Sequence, residues 1–139
     1  MGTTASRASR SAERPRILID ERLYSRLVAL AERARERLPE LADRLLEEIE
    51  RADLLADMPP DVVTLGSEVT FRHDGKEEAV QIVAPEDADI DRRRISVLTP
   101  VGAALLGLRV GQRIHWDMPG KRAAVLEVMA VRPPRDAAS

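Results

Sequence analysis

From Leu98 to Gln112 the chain reads Leu-Thr-Pro-Val-Gly-Ala-Ala-Leu-Leu-Gly-Leu-Arg-Val-Gly-Gln, which leaves room for one short helix with fixed ends. Thr99 can cap it, because its hydroxyl can accept from the unpaired N–H groups of the first turn. Pro100 suits the first helical position, where a missing N–H costs nothing. Gly107 and Gly111 can adopt the left-handed conformation that stops a helix. Strand-like segments flank the run, Arg94–Leu98 before it and Arg113–Trp116 after it. The segment holds no nucleophile–base pair, no metal-ligand spacing and no phosphate loop. It therefore points to docking rather than catalysis.

The surrounding sequence has the period of a small sheet. Val62-Val63-Thr64 starts it, and Glu68–Arg72 and Ala79–Val83 alternate between polar and apolar residues. Asp74-Gly75 between them is a strong signal for a two-residue hairpin turn. Ala124–Val131 forms the last strand, after a turn at Pro119-Gly120. Residues 58–132 are thus expected to form a twisted antiparallel sheet covered by one short helix, which makes the chain α+β.

Residues 17–57 have a helical period instead. Leu23, Leu27, Leu30, Ala34 and Leu38 make one stripe, and Leu41, Leu45, Ile49, Ala52 and Leu55 make a second. Asp20 is a candidate cap for the first helix, and Pro39 separates the two. The expectation is an antiparallel helical hairpin, a short coiled coil with arms of about 17 residues or ~25 Å. The hairpin carries a net charge of −4 within a chain of net charge −2. Residues 1–16 and 133–139 are polar and are expected to be disordered tails.

Composition removes several functional classes. The 22 basic and 24 acidic residues give no bulk attraction to nucleic-acid phosphate. Cysteine is absent, which excludes disulfides and thiolate metal sites. No apolar run approaches the ~20 residues needed to span a bilayer, so a cytoplasmic location is expected. His73 and His115 lack companions at metal spacing, so neither a metal nor a cofactor is expected.

Taken together, these motifs resemble a known family. The strand Arg94–Leu98, the run Thr99 to Gly107, the next strand and Pro119-Gly120 are similar to the C-terminal domain of the GreA/GreB bacterial transcription factors, and Pro100 to Gly111, Ile114-His115-Trp116 and Met58-Pro59 with Asp61-Val62-Val63-Thr64 narrow the resemblance further. The likeness is strongest to the group called regulators of nucleoside diphosphate kinase. It spans residues 17–131 and implies an FKBP-like topology for the sheet domain. Prolyl isomerases of that fold line their pocket with aromatic residues, and this domain offers only Phe71 and Trp116, so isomerase activity is not expected.

The resemblance also implies a partner, RNA polymerase, met at the rim of its secondary channel. Thr99, Pro100, Val101 and Gly102 would be the docking residues, with Leu98 standing where the cleavage factors carry an acid. Glu36, Leu38, Pro39, Glu40 and Asp43 lie at the expected hairpin tip. Cleavage factors hold magnesium there with two carboxylates, but Arg35–Leu41 replaces their motif, so no catalytic residue is carried over. The expectation is a non-enzymatic regulator that occupies the channel and competes with longer-armed factors. It would meet nucleic acid only through the polymerase complex. The alternative is an interaction module for nucleoside diphosphate kinase or another partner.

Overall fold

In the computed structural model, which describes residues 16–116 and 124–134, the chain enters as a strand rather than a helix. Strand β1 (Leu18–Asp20) leads into α1 (Tyr24–Ala34) and α2 (Pro39–Arg51), and β2 (Asp53–Leu55) returns to pair with β1 in parallel. The helices have 11 and 13 residues, shorter than the sequence pattern suggests. Asp20 does not cap α1. Its carboxylate accepts from the Arg22 N–H at 2.8 Å and its carbonyl from the Leu23 N–H at 2.8 Å. That turn delays the helix to Tyr24. At the other end Leu55 leaves the helical stripe and pairs with Asp20. The branched residues Ile17 and Ile19 are buried in extended backbone, where β-branching is favourable.

The second half is a five-stranded sheet. β3 (Glu68–His73) and β4 (Lys76–Val83) form a hairpin across Asp74 and Gly75, both at positive φ as a tight two-residue turn requires. Then come β5 (Arg94–Ser96), α3 (Pro100–Leu105), β6 (Arg113–Trp116) and β7 (Ala124–Arg132). The strand order is β5-β4-β3-β7-β6. The sheet is not wholly antiparallel: β5 lies parallel to β4, with Ile95 opposite Ile82. Two short 3-10 turns, Pro85–Asp87 and Ile90–Arg92, carry the chain back to make this parallel return possible. Val62–Thr64 is not a strand of the sheet. It makes one isolated bridge, Val62 to Arg109, because Ser67 folds the chain back: its Oγ accepts from Thr64 N–H at 2.9 Å. The expected Pro119-Gly120 turn and most of both tails lie outside the described residues.

One hydrophobic core serves both halves. Leu27, Leu30, Ala31, Leu45 and Ile49 of the helices cluster with Val69, Phe71, Ile82, Val97, Leu105, Leu108 and Val128. The helical stripes therefore bury against the sheet domain as well as against each other. The joint is made at Gly107. Its N–H donates to Val63 O at 2.9 Å and its carbonyl accepts from Leu18 N–H at 3.1 Å. Gly107 has φ +84°, and a Cβ there would lie 2.6 Å from Ile17 Cβ.

Two stability predictions follow from this geometry. Gly107→Ala combines a left-handed backbone with overpacking and should cost about 2–4 kcal/mol. A urea titration would show it as a lower midpoint at unchanged slope. At Asp20, hydrogen bonds from Arg22 hold the carboxyl below its usual range, with burial opposing them. A lowered folded-state value adds stability above the unfolded value of about 3.9 and loses it as pH falls below. Asp20→Asn should therefore cost about 0.5–1 kcal/mol at neutral pH, discounted because Arg22 is exposed, and the gap should close in acid.

Candidate functional site

The start of α3 is built by a turn that folds onto itself. Thr99 Oγ1 accepts from Gly102 N–H at 3.0 Å and donates to Ser96 O at 2.8 Å. Ser96 Oγ accepts from Leu98 N–H at 2.9 Å, and Thr99 N–H donates to Ser96 O at 3.1 Å. Pro100 occupies the first turn of the helix. These bonds satisfy the donors that a helix start leaves open and fix the direction of α3.

The four candidate docking residues divide by role. Gly102 is buried, and a Cβ on it would lie 2.3 Å from Ser96 O. Its contribution is the close approach of two backbones. Thr99 spends its hydroxyl inside the turn. Pro100 and Val101 are half-buried and present the remaining surface of this end.

The tip residues do not act as one group. Glu36, Leu38, Pro39, Glu40 and Asp43 are all exposed around the link between α1 and α2. Asp43 is tied to Arg35 at 3.2 Å, and Arg35 also reaches Glu32 at 3.2 Å. Asp43 lines a cleft with Tyr24, Val28 and Leu46, whereas Leu38 lines a different one. Among the described residues no group of three or more His, Asp or Glu side chains could hold a metal ion.

What the structure adds is the cleft of Leu38, of about 560 Å³. Leu30, Ala34 and Leu38 of the helical side face Pro85 and Leu98 of the sheet side, with Arg33, Arg37 and Glu86 at its margin. It brings the tip beside the turn that leads into Thr99. Arg26 and Glu86 clasp the two sides at 3.2 Å. The apolar Leu98 was the available signal, since a leucine in an otherwise polar turn needs something to cover it. His73, beside the hairpin turn and partly exposed, stacks on Phe71 at 5.5 Å and bonds Glu78.

The cap and the close approach can be tested separately. Thr99→Val should cost about 1 kcal/mol by removing the cap, and Thr99→Ser should restore most of it. Gly102→Ala should cost more, about 2–4 kcal/mol, because the clash is with backbone that cannot rotate away. Thermal unfolding of the three variants would rank them.

Comparison with known proteins places this geometry in a family. Residues 58–133 match the model of the transcription elongation factor GreA/GreB C-terminal domain. The regulator of nucleoside diphosphate kinase from Escherichia coli (strain K12) is 44% identical over 121 residues, covering 84% of this chain and 88% of that protein. The transcription elongation factor GreA of Bacillus cereus (strain AH187) is 41% identical over 73 residues, 51% of this chain and 46% of that protein. A solved structure described as a prokaryotic transcription elongation factor GreA/GreB from Nitrosomonas europaea superposes with a TM-score of 0.65 at 34% identity, covering 86% of this chain and 99% of that one. With a matched C-terminal domain that contains the whole Thr99–Gly102 turn, the chain belongs to the GreA/GreB family of transcription elongation factors.

Proposed function

We propose that this protein is a cytoplasmic transcription regulator that docks on RNA polymerase at the rim of the secondary channel and does not support transcript cleavage. The observation that carries the reading is the family match over residues 58–133, which includes the self-bonded turn at Thr99 and the half-exposed Pro100 and Val101. On this reading the sheet with α3 is an FKBP-like docking body. The helical pair is its short coiled-coil arm. Nucleic acid enters the reading through the polymerase complex.

Two features argue against cleavage. Helices of 11 and 13 residues reach only about 16 and 20 Å. At the tip, Asp43 is paired with Arg35, and Arg35–Leu41 stands where the cleavage factors carry their carboxylate motif. Occupancy without chemistry is inhibition by competition, with a size set by relative affinity. A second reading, regulation of nucleoside diphosphate kinase by contact, has the name of the 44% identical relative behind it.

The decisive experiment is a titration of core RNA polymerase with the native chain and with Pro100→Glu/Val101→Glu. Both positions are half-exposed and an acid is favourable in a first helical turn, but Val101 also packs against the core, so a cooperative melt of the variant is the control that it is folded. Polymerase affinity should fall roughly tenfold or more, about 1.4 kcal/mol. In stalled complexes the native chain alone should release no cleaved transcript and should lower GreA-stimulated cleavage as it is added. Unchanged affinity in the folded variant would sink the docking site. Cleavage by the native chain that is lost in Glu40→Ala would sink the non-cleaving role. Retention of nucleoside diphosphate kinase but not polymerase would favour the second reading.

A further inference from the structure

The face of the sheet turned away from the core carries a feature that the docking turn does not use. Across four strands, Arg94 stands opposite Gln81, Gln81 opposite Glu68, and Glu68 opposite Arg132. The next row is small: Ala79, Thr70 and Ala130 are cross-strand partners. The small row leaves an open hollow of about 550 Å³, with Arg92, Arg93 and Arg94 on one rim and Arg132 on the other. Arg94 and Arg132 also line an adjoining hollow that Arg26 and Asp87 enter.

The arginines are not equally engaged. Arg132 reaches Glu68 at 3.6 Å and Arg92 reaches Asp89 at 3.7 Å. Arg93 and Arg94 have no carboxylate partner among the described residues. Among the described residues, Arg93 is also the one non-glycine outside the β3–β4 turn that has a left-handed backbone, at φ 56° and ψ 39°. A position that ends a 3-10 turn in this conformation is cheapest for glycine or asparagine. An arginine there accepts backbone strain and places a guanidinium at the hollow's rim, and strain kept at a surface position is a pointer to function.

We infer that this arginine-rimmed hollow binds the phosphate backbone of single-stranded nucleic acid. Three spacings of ~4.8 Å separate the strands of Arg94 and Arg132 by roughly 14 Å, too wide for one phosphate to bridge and close to the span of two nucleotide steps along a chain. Among the described residues no aromatic side chain lines the hollow, so the inferred contact is to the backbone and not to stacked bases. The guanidinium fork matches phosphate oxygens. Residues 58–132 hold ten basic and eleven acidic residues, so the attraction is local to the rim, and Glu68, the acid that lines the hollow, is paired with Arg132. The inference goes beyond polymerase docking: it concerns the sheet face turned away from the core and adds a direct contact where the docking reading brings nucleic acid only through the polymerase.

The test is fluorescence anisotropy of a labelled oligouridylate of about ten nucleotides with the full chain, at about 50 and 150 mM salt. Binding should be weak and salt-dependent. Arg93→Gly and Arg94→Gln should each weaken it severalfold, and the double variant should lower the salt slope by about 1.4, the loss of two single-strand phosphate contacts. Arg93→Gly should at the same time leave the melting temperature unchanged or raise it, which separates lost binding from lost folding. Arg33→Gln, a charge change on α1 away from the hollow, should bind as the native chain does. The inference is overturned if the native chain does not bind at the lower salt, if the double variant binds normally, or if Arg33→Gln is equally impaired. Complete displacement by an equal concentration of inorganic triphosphate would also overturn it, as a small-anion site.

Discussion

At Gly107 the backbone bonds in two directions, to Leu18 and to Val63, while Ile17 fills the space where a side chain would lie. That single residue ends the turn after α3 and receives the strand that leads into the helices. Because the bonds are backbone to backbone, they constrain position more tightly than side-chain contacts of equal strength. The strand β1 is thereby pinned to the sheet domain, β2 is pinned to β1, and the helical pair between them has both its ends fixed. The shared core is a consequence. Leu27, Leu30, Leu45 and Ile49 bury against each other and in one cluster with Phe71, Leu105 and Leu108.

The same constraint reaches the candidate docking turn. α3 is short, only Pro100–Leu105, and an isolated helix of that length would not form in water. It exists because its start is held by the Ser96–Thr99–Gly102 bonds and its end runs into Gly107. A surface presented by such an element is set before any partner arrives, so little conformational entropy remains to be lost on binding. The half-exposed Pro100 and Val101 gain from this because neither has a long side chain to order.

Where local chemistry decided the structure, the sequence was readable. Asp74-Gly75 permits little besides a tight turn, and Thr99-Pro100 ahead of four apolar residues permits little besides a capped helix start. The parts that were not legible were decided by distant contacts. Ile17, Leu18 and Ile19 carry no periodic signal, and their extended form depends on Asp53–Leu55 and Gly107, far along the chain. The parallel pairing of β5 depends on two brief 3-10 turns that leave no hydrophobic pattern. The tip carboxylates looked equivalent in sequence, yet Asp43 is tied to Arg35 from the other helix and faces a different cleft from Leu38. Spacing along a chain cannot rank groups whose partners come from another element.

Charge is distributed with the same logic. The helical half holds the acidic excess, and one of its acids, Glu48, is nearly enclosed and is held by Arg51 at 3.0 Å. An enclosed carboxylate is tolerable only when paired, so Glu48 and Arg51 belong to the architecture of α2 and not to a binding surface. On the sheet, by contrast, Arg93 and Arg94 stand at a rim with open space before them and no carboxylate partner among the described residues. A guanidinium in that setting costs nothing in desolvation and gains nothing from the fold, so its placement is not explained by stability. For Arg93 the fold is even opposed, since its backbone conformation favours glycine. A residue that the fold would replace, at the edge of a hollow the fold does not fill, is best accounted for by something that binds there.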